Sequence, residues 1–308
     1  MRSRILLALL ISVIASTDAG AQRLRTRVVM LGTGTPIPDP ERAGPGVAIV
    51  VDSVAYLFDA GVGIVRRAAA AGNAGIEAFA PSIPGGQPSP RFDRVFITHL
   101  HADHTLGLAD VILTPWIQGR TTALDVYGPP GTAGLVRGIL DAYREDVQER
   151  VSTSGGPRAD GGNAIAHEIG EGIVYRDSRV TVTAFAVPHA DWKFAFGYRI
   201  DTPDRRIVIS GDDRPNEAIA SQCNGCDVLI HEVYSNSGFA TIPALRQAYH
   251  SRAHTSATEL GEIASRAKPK LLVLYHQLFF GASDETLVSE VRSRFNGRVV
   301  SAKDLQIF

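Results

Sequence analysis

Residues 94–104, Arg94-Val95-Phe96-Ile97-Thr98-His99-Leu100-His101-Ala102-Asp103-His104, decide how this chain is read. Arg94 to Thr98 is a short apolar run rich in Val, Phe and Ile, the composition of a buried strand. Four groups able to bind a metal follow within six residues. His99 and His101 alternate, so in extended backbone they point the same way. Asp103 and His104 fall where the chain turns into a helix over Thr105 to Trp116, which has apolar residues at Leu106, Ala109, Ile112 and Leu113. Imidazole and carboxylate together suit zinc and similar divalent ions. The cluster is crowded enough for two ions, yet it completes neither.

The missing ligands are sought where a sheet can hold them rigidly. Three apolar runs each end on a polar residue: His189 closes Val180–Val187, Asp212 closes Arg206–Ser210, and His276 closes Leu271–Tyr275. Each is expected at one rim of a sheet. Further strands are expected at 27–32, 46–51, 54–58, 124–127, 194–200 and 228–230. Helices are expected at 64–71, 132–145, 257–267 and 285–295. Residues 81–90 and 152–163 read as loops. No Pro/Gly/Ser linker divides two cores, so sheets inside and helices outside form one domain.

In order, the segments VVMLGTGTP, YLFDAG, FITHLHADHTLGL, VYGPPG, AVPHADWKFAFGYRI, VISGDDR, DVLIHE, HTSATELGEIA and LLVLYH resemble the metallo-β-lactamase fold, specifically its ribonuclease Z and arylsulfatase-like branch. The resemblance covers nearly the whole chain after residue 21. It implies an α/β fold, the four-layer αββα sandwich, and two zinc ions, with manganese or iron accepted by the same ligands. His99, His101 and His189 would hold one ion. Asp103, His104 and His276 would hold the other, and Asp212 would bridge them. Two such ions roughly 3.5–4 Å apart clamp the attacking and leaving oxygens of a displacement. Asp103 would also orient the attacking hydroxide. His254 resembles the branch's additional histidine, assisting the scissile group as acid or oxyanion stabiliser, and Glu232 resembles the acid that orients it. Asp59 is the candidate for fixing a ligand histidine in one tautomer, and Thr255 or Ser256 for capping the following helix. His231, His250 and His167 are read as structural or surface residues. Trp116, Trp192, Phe194 and Phe196 are candidates for walling the pocket.

Arg2 and Arg4, the apolar run Ile5 to Ile14, and Ala19-Gly20-Ala21 follow the pattern of a secretory signal peptide. Residues 1–21 are therefore expected to be a leader, 22–308 the hydrolase domain without a membrane span, and the location periplasmic or secreted. Formal charge is −1, with no basic excess or stripe in the sequence, which leans against a nucleic acid. Cys223-x-x-Cys226 lacks a thioredoxin-like context and reads as a disulfide-closed turn or two half-buried thiols.

Ribonuclease Z enzymes that cut tRNA carry a protruding arm, commonly between the GYR and GD strands. Only Asp201-Thr202-Pro203-Asp204-Arg205 joins those strands here. A bridging Asp212 favours phosphodiester, sulfate-ester or lactone hydrolases over β-lactamases. The sequence thus leads to a hydrolase of small phosphodiesters or sulfate esters, with a small-molecule ester as substrate and nucleic acid unlikely. The alternatives are a ribonuclease Z-type endonuclease, a lactonase or β-lactamase, and a metal-containing binding protein without turnover. The branch's habit of dimerising makes a homodimer possible.

Overall fold

The computed structural model describes residues 26–80 and 90–308. The expected leader, and the loop expected at 81–90 except Pro90, lie outside them. The chain begins with β1 (Thr26–Gly32), β2 (Gly46–Val51), β3 (Val54–Phe58) and α1 (Ile64–Asn73). Next come β4 (Arg94–Phe96), α2 (Ala102–Thr105), α3 (Leu108–Ile117) and β5 (Leu124–Gly128). A helical pair, α4 (Thr132–Ala142) and α5 (Arg144–Ser152), precedes the strands β6 (Ala164–Glu168) and β7 (Gly172–Arg176) in sequence. Then follow β8 (Thr181–Ala186), β9 (Phe196–Asp201), β10 (Arg206–Ile209), α6 (Glu217–Cys223) and β11 (Val228–Tyr234). The chain closes with α7 (Asn236–Phe239), α8 (Ala244–Ala253), α9 (Ala257–Ala267), β12 (Leu272–Leu278), α10 (Asp284–Arg292) and β13 (Val299–Ser301).

Two sheets result, ordered β1-β2-β3-β4-β5-β6 and β13-β12-β11-β10-β9-β8-β7. Despite adjoining in sequence, β6 and β7 therefore belong to different sheets. Each sheet is antiparallel on one side (β1 to β3; β7 to β10) and parallel on the other. The strands alternate faces with period two. On β1, Val28 and Met30 enter the core between the sheets, meeting Tyr198, Ile209, Ile230 and Val273, whereas Val29 and Leu31 face helices α1 and α3. On the far side α6, α9 and α10 cover the second sheet through Ile219, Leu260, Ile263, Leu287 and Val291. Helix, sheet, sheet and helix make the four-layer αββα sandwich.

Two devices close the fold. The free edge of β1 is covered by the chain's own end, where Val28 and Phe308 exchange backbone hydrogen bonds of 2.9 Å, removing a template for unwanted pairing. A disulfide joins Cys223 to Cys226 just before β11, with both residues buried. The helix expected over 132–145 is instead two, parting at Tyr143, whose φ of −103° and ψ of 13° leave the helical region. No helix among the described residues is long and apolar enough to cross a membrane.

Candidate metal centre

Side chains able to ligate a metal collect at one rim, where strands of both sheets end. The chain leaving β4 carries His99 and His101, and α2 presents Asp103 and His104 from its first turn. The loop after β8 brings His189, the turn after β10 brings Asp212, and β12 brings His276. His276 does not close its strand as the apolar run suggested. β12 continues to Leu278, and His276 is a bulge: Tyr275 pairs with Glu232 and Gln277 with Val233, skipping it. Its φ of 45° is left-handed, and the extra residue re-aims the side chain. Asp59 (φ 60°) and Ala190 (φ 43°) share that conformation beside the site. Backbone of this kind costs about 1–3 kcal/mol per residue and persists only where its surroundings over-determine it. Gly211, at φ 66°, sits so close to Phe196 and Thr98 that an added Cβ would lie 2.8 Å from the Phe196 carbonyl oxygen.

The donor atoms converge in two groups. His99 Nε2 lies 2.9 Å, and His189 Nε2 3.1 Å, from His101 Nδ1. With Asp212, all four groups offer an atom within 4.8 Å of one another. Asp103 Oδ2 lies 3.2 Å from His276 Nε2 and 3.5 Å from His104 Nε2. Asp212 stands between: Oδ1 is 3.3 Å from His104 Nε2, and Oδ2 is 3.5 Å from His276 Nε2 and 3.9 Å from His99 Nε2. An ion with tetrahedral bonds of about 2.0–2.1 Å sets its ligands about 3.3–3.4 Å apart, close to these spacings. His104 Nε2 and Asp212 Oδ1 are buried without a hydrogen-bond partner, a costly state in a closed interior. Donor set, spacing and orphaned atoms all fit divalent ions.

Three of the remaining ring nitrogens are tied down, whereas His276 Nδ1 is buried without a partner. His104 Nδ1 meets Asp59 Oδ2 at 2.8 Å, His189 Nδ1 donates to the Ala253 carbonyl at 2.7 Å, and His99 Nδ1 lies 3.0 Å from the Thr98 hydroxyl. That hydroxyl in turn reaches Asp59 at 3.0 Å. One carboxylate, Asp59, therefore orients two histidines, one directly and one through Thr98, and leaves Nε2 of each free for a cation. The loops holding Asp59 and α2 are stitched by Ala60 N to the His104 carbonyl and Gly107 N to the Ala60 carbonyl, both 2.8 Å.

Charge completes the picture. Burial holds His99 and His189 below the usual histidine range and His101 at about 4, so each presents a lone pair. Burial acts the same way on His104, but Asp212 and Asp59 outweigh it and hold that imidazole well above its usual range. A divalent ion takes the place of such a proton.

Behind the centre, His254 lies 5% exposed, its Nδ1 3.3 Å from Glu232 Oε2 and 3.9 Å from Asp212 Oδ2. Glu232 is fully buried and accepts from Thr255 N at 2.8 Å. Burial, then the Asp212 carboxylate, pushes its carboxyl well above the usual range. The His254 segment is fixed by a capping box, in which Ser256 and Glu259 satisfy each other's backbone N–H at the start of α9. Asp212, His254 and His276 also form a third cluster within ligating distance.

A cleft of about 840 Å³ opens over the centre. The aromatic expectations divide here. Trp116 is fully buried in α3, donating to the Arg158 carbonyl, and Phe196 is packed between the sheets. Neither walls the cleft, because each is an apolar position on the inward face of its element. Trp192 instead reaches the ligands, with its ring 4.9 Å from His101. Phe194 is likewise 37% exposed. Tyr249 and His250 of α8 line the cleft, and sequence reasoning assigned them no site role. Their one signal was position, four and five residues before His254.

The description Beta-lactamase superfamily domain matches residues 55–277. The chain belongs to the beta-lactamase superfamily, in its ribonuclease Z branch. It is 30% identical to Ribonuclease Z of Mycobacterium bovis (strain BCG / Pasteur 1173P2) over 290 residues, covering 90% of this chain and 96% of that one. It is 32% identical to Ribonuclease Z of Mycolicibacterium paratuberculosis over 287 residues, with the same coverages. Among solved structures, human tRNase Z, short form, aligns with a TM-score of 0.64 at 20% identity, covering 92% of this chain and 98% of that one. That likeness speaks for the fold. The ribonuclease relatives overturn the expectation of a small-molecule ester substrate with nucleic acid unlikely. The physical reason is that a formal charge summed over a chain does not report where on the surface its cations sit.

Proposed function

We propose that this member of the branch is a two-zinc hydrolase that cuts RNA phosphodiester bonds in the manner of ribonuclease Z. The observation that carries the reading is Asp212, whose two oxygens face both ligand groups at 3.3–3.9 Å beside the His254–Glu232 pair. His99, His101 and His189 would hold one ion, Asp103, His104 and His276 the other, and Asp212 both. Two ions so held would supply Lewis acidity and an activated water at neutral pH. Asp103 is the most accessible carboxylate of the set, at 11% side-chain exposure, and lines the cleft, where it would orient an attacking water. His254 is the proton donor to the leaving oxygen, steadied by Glu232 on its Nδ1 side. Incubating zinc-loaded protein with a labelled RNA bearing an unpaired 3′ extension should give discrete hydrolysis products, abolished by a chelator. No cleavage of any RNA by fully loaded protein would sink the reading.

Zinc loading has an optical consequence. Trp192 Nε1 lies 2.6 Å from His101 Nε2, and an indole nitrogen only donates. The contact therefore keeps the His101 proton on Nδ1. Ligation through Nδ1 moves that proton to Nε2 and sets two donors face to face, so Trp192 has to leave. Titrating zinc should shift tryptophan emission, and Trp192→Phe should remove the shift while buried Trp116 stays silent. Unchanged emission at full zinc occupancy contradicts this assignment.

A further inference from the structure

The expected arm site is a tight turn. β9 ends at Asp201 and β10 starts at Arg206, and these two residues pair directly. A chain that handles RNA without that projection has to grip it elsewhere. From Val233 to Thr258 the sequence contains no Asp or Glu, although one residue in five of the chain is charged. Within that stretch α8 carries Arg246, Tyr249 and Arg252 at intervals of three, neighbours on a helix surface. All three side chains are exposed. Arg246 pairs with no carboxylate among the described residues, and Arg252 only with exposed Asp191 at 3.5 Å.

Two further cations stand on backbone tied to this helix. Ala190 N donates to the Arg252 carbonyl at 3.1 Å, joining α8 to the loop that carries Lys193. Arg214 N donates to the Pro188 carbonyl at 2.9 Å, joining the turn after Asp212 to the same loop. Both side chains are exposed, and neither meets a carboxylate among the described residues. The basic edge thus runs along the His189 side of the metal centre.

The cleft over the candidate ligands is lined by Tyr249 together with Pro36, Ile37, Pro38, Val62 and Leu106. Apolar surface beside a ring face suits a flat heterocycle, and a base reaches such a place only from an unpaired strand. We propose that α8 is the grip for single-stranded RNA: Tyr249 stacks on a base lodged in the cleft, and Arg246 and Arg252 hold the flanking phosphates. This rests on the RNA-hydrolase reading and deepens it, naming an unpaired strand rather than a folded duplex as the element recognised.

The test is anisotropy with zinc-loaded protein and a fluorescein-labelled eight-nucleotide RNA carrying phosphorothioate links, beside the same strand annealed to its complement. The single strand should bind at least about tenfold tighter, since only its bases can stack. Tyr249→Ala should weaken binding about tenfold or more, and Tyr249→Phe should restore it, because the ring face and not the hydroxyl is used. Arg246→Gln with Arg252→Gln should lower the slope of log affinity against log salt by about 1.4, or about 0.7 per lost phosphate contact. Wild-type affinity in Tyr249→Ala, an unchanged salt slope, or equal binding of the duplex overturns the proposal. Hydrolysis of unmodified RNA by the wild type, measured alongside, separates the two readings. Turnover with an indifferent Tyr249 sinks only the grip, and absence of turnover sinks the hydrolase.

Discussion

Asp212→Ala should leave the protein with less than one zinc per chain and take RNA hydrolysis to background. Asp212 is 2% exposed and, among the described residues, is the one carboxylate within 4 Å of His99, His104, His254 and His276 together. Removing it deletes the proposed ligand common to both ion sites and also the main charge that offsets burial at His104. Losing a hydrogen bond behind a metal ligand already costs about 10–100-fold in affinity or activity, so losing a shared ligand should exceed that range. Metal content by plasma mass spectrometry after gel filtration, with circular dichroism to verify folding, reads the outcome. A folded variant that retains two zinc ions refutes the bridging assignment.

His254→Ala should behave oppositely, keeping both ions while kcat falls about 10²–10⁴-fold, the usual contribution of a positioned acid or base. Its Nδ1 faces Glu232, so Glu232→Gln should reduce kcat by a smaller factor through the same imidazole. The third cluster, Asp212 with His254 and His276, offers a competing role as ligand. Metal analysis separates the two, since an acid can be lost without the ions and a ligand cannot. Zinc loss in His254→Ala would end its assignment as proton donor.

Much of the fold was legible because its strands are short apolar runs punctuated by polar ends. β4 and β10 are of this kind, and their polar successors, His99 and Asp212, lie at the rim where the ligand groups meet. His276 was legible as a residue but not as a bulge, because a left-handed φ within a run leaves no mark on the residue types around it. β6 and β7 escaped notice, since AIAHE and GIVYR are brief, half polar and lie at sheet edges. The break at Tyr143 escaped too, because helical periodicity continues through it. Trp116 and Phe196 misled, as aromatic character alone does not distinguish a cleft wall from a core. Thr98 carried no signal, although it relays Asp59 to His99. The cations flanking Tyr249 were invisible to a charge count, because only the fold draws Lys193, Arg214 and α8 together.

The candidate ligands come from both sheets. His99, His101, Asp103 and His104 follow a strand of the first, and His189, Asp212 and His276 belong to the second. Neither half carries a complete coordination sphere. Ions seated at this seam would act as rivets, joining two leaves that otherwise adhere through apolar packing and a few hydrogen bonds, such as Phe196 N to the Thr98 carbonyl and the Tyr198 hydroxyl to the Ile97 carbonyl. Metal occupancy and mechanical cohesion would then become one property: whatever pries the leaves apart ejects the ions, and whatever strips the ions loosens the seam.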